Sequence, residues 1–110
     1  MKRKHTYNDK NVTSIVATLV KIADPDKIIL FGSHATGGAK NDSDYDFCVL
    51  KKNVNCKMLL SKIYAHGLNA DVPVDIIVNT PVRFDSLKKK NFLVYYDISK
   101  YGLIVYEKKR

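Results

Sequence analysis

Glutamate is almost missing from this chain: of its eleven acidic residues, Glu107 alone is a glutamate. Glutamate is the usual solvating acid of helix faces. The aspartates in its place are short and stiff, and suit turns, caps and metal sites better. Long apolar runs are also missing. None approaches the roughly 18 residues of a membrane span, so no membrane partner is expected. The basic opening MKRKHTYNDKN has no continuous apolar stretch behind it, which argues against a secretory signal. Cysteine is scarce, and Cys48 and Cys56 fall in no metal-ligand spacing. They read as two free thiols of a cytoplasmic protein. There is no internal repeat, low-complexity segment or linker. With 110 residues, the expectation is a single domain over 1–110, long enough to bury a core without staples.

What the chain has in excess is positive charge. The formal net charge is +8, with lysine and arginine gathered at Lys2, Arg3 and Lys4, at Lys51 and Lys52, at Lys88 to Lys90, and at Lys108 to Arg110. Such a surface suits polyanionic partners (nucleotides, RNA, acidic proteins) or serves simply as a solvated face.

Periodicity places the elements. Val12, Ile15, Val16, Leu19, Val20 and Ala23 recur at helical spacing over 9–23, with Asn8, Asp9 and Asn11 as candidate caps. Asp24-Pro25-Asp26 turns the chain. Residues 28–31 form a short apolar run of the buried-strand kind. Residues 34–43 are small and polar, a loop or one helical turn. A second strand is expected over 44–50 and a helix over 53–69, with Leu59, Leu60, Ile63, Tyr64 and Leu68 on one stripe. A third strand follows over 71–78. Thr80-Pro81 starts a short helix to about residue 88, a further helical segment covers 92–99, and Tyr101-Gly102 breaks it before a last strand over 103–106. The fold class is α/β (α+β): a sheet of about four strands, with helices expected against one face. Strand order is left open.

Three signals carry chemistry. In ILFGSHATGG a buried strand ends in Gly32-Ser33, with Gly37 and Gly38 close behind. Backbone N–H groups in such a turn can cradle phosphate, and the Ser33 hydroxyl can donate to it. No Gly-Lys-Ser/Thr closes the loop, so it is not a Walker A loop. In Ser43-Asp44-Tyr45-Asp46-Phe47, the strand period puts Asp44 and Asp46 on one face and Tyr45, Phe47 and Val49 on the other. Two carboxylates about 4 Å apart repel by roughly 4 kcal/mol at an effective dielectric near 20, a repulsion that a divalent cation offsets. In VPVDIIV, Asp75 is the only ionisable residue in an apolar run and reads as a buried carboxylate, which is costly unless paired or metal-bound. Three carboxylates beside a phosphate loop make a site for one or two magnesium ions and a triphosphate. Turn, cap and salt-bridge roles are the structural alternatives for the same residues.

Taken together, Gly32-Ser33, Gly37, Ser43-Asp44-Tyr45-Asp46 and Asp75 resemble the minimal nucleotidyltransferase family of the DNA polymerase β-like superfamily. The family pattern is Gly-Ser, a short loop, Asp-x-Asp in the next strand and a third Asp in a later one. The resemblance runs from the first helix to the closing strand. It implies a mixed-sheet nucleotidyltransferase core acting with two Mg2+ ions on ATP. Asp44, Asp46 and Asp75 would be the catalytic and metal-binding carboxylates, and Gly32, Ser33, Gly37, Lys40 and Ser43 would hold the nucleotide. Small members resemble the antitoxin of a toxin–antitoxin pair whose other half is a HEPN-domain ribonuclease, with AMP transferred to a toxin hydroxyl. Thr36 stands where relatives often carry arginine in the loop. One other reading therefore stays open, an antitoxin that neutralises by contact alone, and the basic balance leaves a second, an RNA-directed enzyme. His34 fills a variable position, as a contact to phosphate or base or as an exposed loop histidine. His5 and His66 look unremarkable.

Overall fold

The computed structural model describes residues 9–40 and 42–109. The expectations on Lys2, Arg3, Lys4, His5, Asn8 and Arg110 lie outside them. The element order is α1 (Lys10–Ala23), β1 (Lys27–Phe31), α2 (Ser33–Thr36), β2 (Tyr45–Leu50), α3 (Cys56–His66), β3 (Val74–Asn79), α4 (Pro81–Leu87), α5 (Val94–Tyr101) and β4 (Leu103–Glu107). The four strands form one mixed sheet in the order β3-β2-β1-β4. β1 runs antiparallel to both β2 and β4, and β2 runs parallel to β3. Between Ile28 and Ile29 the β1–β4 register shifts at a bulge, so Ile28 faces Tyr106 and Ile29 faces Ile104.

The elements end where local chemistry ends them. The Asp9 carboxylate accepts the Asn11 N–H at 2.8 Å and starts α1. Asn55 accepts from Met58 N–H at 3.1 Å, so α3 is shorter at both ends than the apolar stripe over 53–69 implied. Thr80 caps α4 through Arg83 N–H at 3.2 Å, with Pro81 in its first turn. The segment expected helical from residue 92 starts at Val94 instead. The backbone first turns through Lys90 and Leu93, leaving Phe92 80% exposed.

Strand alternation divides the core in two. Tyr45, Phe47 and Val49 of β2, with Ile28 and Leu30 of β1, pack under Val12, Ile15 and Leu19 of α1 and Leu59 and Ile63 of α3. On the opposite face, Ile29, Cys48, Leu50 and Ile104 pack against Phe84 of α4 and Ile98 of α5. The expectation of helices against a single face is thus corrected. Each of the short helices α4 and α5 supplies one large buried residue, too few for a helical stripe to show in sequence. The edge strand β3 is tied on both sides. The Tyr64 hydroxyl of α3 accepts the Ile76 N–H at 3.2 Å. Asn79 donates to the Tyr95 hydroxyl at 3.0 Å and accepts the Thr80 N–H at 2.9 Å.

At the far end of the sheet, Lys51 Nζ donates to the Ala23 and Asp24 carbonyls at 2.9 and 2.8 Å and so closes α1. Asp24, in the left-handed conformation at φ 45°, accepts from Lys108 Nζ at 3.0 Å. The hydrogen bond and charge of Lys108 hold the Asp24 carboxyl below its ordinary 3.8. A folded pKa below the unfolded one contributes stability above the unfolded value, and this is lost as pH falls through the folded value. Asp24→Asn tolerates the same backbone conformation but removes the pair. Its melting temperature should lie slightly below wild type at neutral pH and low salt. The gap should close on acidification below about pH 4 and narrow in high salt. Thermal unfolding across that pH range is the check.

Candidate active site

β1 delivers Gly32 to the end of the sheet with φ 74° and ψ −157°, a conformation essentially confined to glycine. From there the chain makes the single turn α2, in which Ala35 and Thr36 N–H donate to the Gly32 carbonyl and Gly37 N–H to the Ser33 carbonyl. The 34–43 segment is therefore one helical turn followed by a loop. The Thr36 hydroxyl bends back to the Gly32 carbonyl at 3.4 Å. In the returning loop, the Ser43 hydroxyl accepts the Lys40 N–H at 2.8 Å, which fixes the loop just before the Asp44 position. The Lys40 residue itself is exposed.

His34 is not the exposed loop histidine that sequence allowed. Its ring stacks on Tyr45, 3.6 Å between centroids and 13° from parallel, and its Nε2 meets the Ser43 carbonyl at 3.0 Å. The Tyr45 hydroxyl donates to the Asp9 carboxylate at 2.7 Å and accepts from Asn11 at 3.3 Å. The loop is thereby pinned to β2 and, through Tyr45, to the cap of α1. The sequence signal for this clamp was one aromatic residue set between two aspartates, and it had served only to assign strand faces.

The carboxylates converge on the other side of β2. Asp46 lies opposite Phe31 of β1 and opposite Asp75 of β3, so all three residues share one face at one end of the sheet. Asp44 precedes the strand by one residue. A Cβ at Gly32 would collide with the Asp46 carboxylate, so the bare α-carbon makes room for that side chain. Burial pushes the Asp46 carboxyl above its ordinary 3.8, the negative charges of Asp75 and Asp44 push it further, and His34 partly opposes them. Asp75 corrects one expectation. It is exposed rather than buried, because β3 is the sheet edge and Asp75 lies on the face opposite α3. Its apolar neighbours in sequence reflect the opposite face and the interior of the strand.

All-oxygen donors of this kind fit a hard divalent cation such as magnesium. The mutual repulsion felt at Asp46 is what a cation would relieve. Among the described residues, no group of three or more aspartate, glutamate, histidine or cysteine side chains is placed to hold a metal ion. Beside Gly32, the same face opens into a cleft lined by Phe31, Thr36, Val94, Asp97 and Tyr101. Asp97 was not singled out from sequence, since as one aspartate among ten it carries no motif.

Residues 13–110 match the family described as Polymerase beta, Nucleotidyltransferase. The chain belongs to that nucleotidyltransferase family. Two solved structures share its fold. One is a toxin–antitoxin crystal structure with AMP-PNP, 22% identical, covering 92% of this chain and 76% of that one at a TM-score of 0.57. The other is a mutant of the toxin–antitoxin MntA-HpeT carrying two Asp-to-Glu exchanges two residues apart. It is 16% identical and covers 88% of this chain and 73% of that one at a TM-score of 0.59. No curated protein matches this nucleotidyltransferase domain. Among its described residues, no helix is long and apolar enough to cross a membrane.

Proposed function

We propose that this nucleotidyltransferase moves AMP from ATP to a hydroxyl of a partner protein, and that the partner is the HEPN-domain ribonuclease toxin of a toxin–antitoxin pair. The observation that carries the proposal is the Asp46–Asp75 pairing on adjacent strands, set against Gly32 with Asp44 two residues before. The family membership over 13–110 supports nucleotidyl transfer. The toxin–antitoxin neighbours, one solved with AMP-PNP, support the class of nucleotide and partner. The two exchanged aspartates in the second neighbour have the same separation as Asp44 and Asp46.

In this reading Asp44, Asp46 and Asp75 would hold magnesium, two ions in all, through their carboxylate oxygens. When bound, the metal neutralises phosphate charge and polarises the phosphoryl oxygens. Ser33 donates its hydroxyl to the triphosphate, and Gly32, Gly37 and Ser43 shape the turn that receives it. Lys40 adds positive charge from the same loop. The acceptor oxygen attacks the α-phosphorus and the bond to the β-phosphate bridging oxygen breaks. Pyrophosphate leaves, and Asp75 takes the acceptor proton. The protein's part is mostly positioning and electrostatics, as in phosphoryl transfer generally. The domain, its cytoplasmic setting and the assignment of one domain to 1–110 belong to the same reading.

The test pairs calorimetry with label transfer. ATP should bind wild type only with magnesium and should not bind Asp44→Ala/Asp46→Ala. Label from α-phosphate-labelled ATP should appear on a co-purified toxin only with the intact aspartates. A second reading rests on Thr36, whose hydroxyl is turned onto the Gly32 carbonyl and supplies no cation to the phosphate loop. Should the double variant still neutralise the toxin as well as wild type, neutralisation is by contact and the transfer reading fails.

A further inference from the structure

We infer that the cleft beside Gly32 is the nucleoside subsite: it takes the base and ribose of the triphosphate, with Tyr101 and Phe31 as the apolar wall and Asp97 as the hydrogen-bond acceptor. This rests on the proposed triphosphate site and extends it.

The cleft has a volume of about 420 Å³ and is lined by Phe31, Gly32, Thr36, Val94, Asp97 and Tyr101. Two links join it to the carboxylates. Phe31 is the direct cross-strand partner of Asp46, and Gly32 is the residue against which the Asp46 carboxylate rests. A ligand whose phosphates lie at Asp46 and the Ser33 turn therefore has this cleft as its adjoining volume on the same face. The volume falls within the range of small-molecule sites, about 300–1,000 Å³, and exceeds what one acceptor side chain fills.

The lining chemistry fits a nucleoside better than a further anion. Phe31 and Tyr101 are aromatic and Val94 is aliphatic, which suits the flat face of a base. Tyr101 is 47% exposed and Val94 44% exposed, so both keep apolar surface for a ligand to cover. Lys100 Nζ lies 5.4 Å from the Tyr101 ring centroid and also reaches the Tyr96 hydroxyl at 3.4 Å, which holds the ring from its own helix. Asp97 sits in the first turn of α5, and no protein donor to its carboxylate is found among the described residues. A carboxylate is acceptor-only. It would repel phosphate and accept from ribose hydroxyls or an exocyclic amino group. The polarity of the whole face is thus set: metal and triphosphate toward Asp44, Asp46 and Asp75, nucleoside toward α5.

The experiment compares two ligands that share the phosphate chain and differ by the nucleoside. ATP and inorganic tripolyphosphate, each with magnesium, are titrated into wild type, Tyr101→Ala and Asp97→Ala. Both substituted residues are exposed, and thermal unfolding verifies that each variant is folded. The expected result is an ATP Kd raised about tenfold in each variant, with tripolyphosphate affinity unchanged. ATP affinity unchanged in both variants overturns the subsite, and if label transfer to the toxin is lost at the same time, the cleft belongs to the acceptor. Equal weakening of both ligands also overturns it, because the substitutions would then act on the phosphate site. Absence of binding by either ligand to wild type removes the triphosphate site itself, and the subsite with it.

Discussion

Asp46→Asn should sharply reduce nucleotidyl transfer and yet leave the metal-free protein more stable than wild type. The two effects have one origin. Asp46 is partly buried, faces Asp75 across the strand pair, and has its carboxyl pushed upward by burial first and then by the charges of Asp75 and Asp44. A carboxyl whose folded pKa exceeds its unfolded one is ionised at neutral pH at a cost to the fold. The cost is absent below the unfolded value, grows between the two values and is complete above the folded one. Asparagine keeps the shape and removes the charge. Without metal, its melting temperature at neutral pH should exceed wild type slightly, since solvent screens a partly buried charge. Acidification through the Asp46 titration should erase the advantage.

Magnesium with ATP should then raise the wild-type melting temperature and leave the variant's unchanged, since only a ligand that binds the folded state stabilises it. Transfer should fall by about 10²–10³-fold, the scale on which enzymes lose rate when a group stabilising transition-state charge is removed. A variant less stable than wild type at neutral pH would contradict the origin assigned to the strain at Asp46. Retained transfer would remove Asp46 from the metal site.

Gly32→Ala should be the most damaging single methyl group at the candidate site. The residue holds φ 74° and ψ −157°, where an L-residue costs about 1–3 kcal/mol, on the order of 10 °C in melting temperature. The added methyl would also collide with the Asp46 carboxylate. It cannot be accommodated without displacing either the turn that receives the phosphates or the carboxylate that holds the metal. Gly37→Ala provides the contrast. Gly37 also has positive φ, at 90°, but a methyl there meets nothing within 4 Å. Its variant should lose stability through the backbone alone and keep more magnesium-dependent ATP binding than Gly32→Ala. Thermal unfolding and calorimetry on the pair separate the two effects. Equal ATP affinity in both variants would show that contact with Asp46 does not matter.

The sequence made some features legible and hid others for physical reasons. The two faces of β2 were readable because strand period is strict: Tyr45, Phe47 and Val49 had to oppose Asp46, Cys48 and Leu50, and the two core clusters divide them in that way. Helix starts at Asp9 and Thr80 were readable because capping is local chemistry. Strand order was not, since alternation fixes which face a side chain takes and says nothing about its neighbours. For that reason Asp75 read as buried. VPVDIIV is apolar enough for a central strand, and only the sheet order reveals it as an edge. The same gap hid the position of α4 and α5, which bury little more than Phe84 and Ile98. His34 was hidden differently, because its stacking on Tyr45 depends on how the loop over 34–43 returns. The carboxylate trio was visible through its spacing, whereas the cleft residues Asp97 and Tyr101 come from a helix with no motif and meet Gly32 only in three dimensions.

The split of the core leaves the two thiols in very different surroundings. Cys48 points into the α4–α5 side of the sheet, fully buried, with its thiol pushed up to about 12 by that burial. Cys56 opens α3 and keeps access to solvent. At neutral pH a maleimide reagent needs both an accessible sulfur and some thiolate, so it should find Cys56 and leave Cys48 untouched until the protein unfolds. The wild-type chain therefore carries a ready attachment point for a fluorophore at the start of α3. Labelling of Cys48 would in turn serve as a chemical clock for global unfolding.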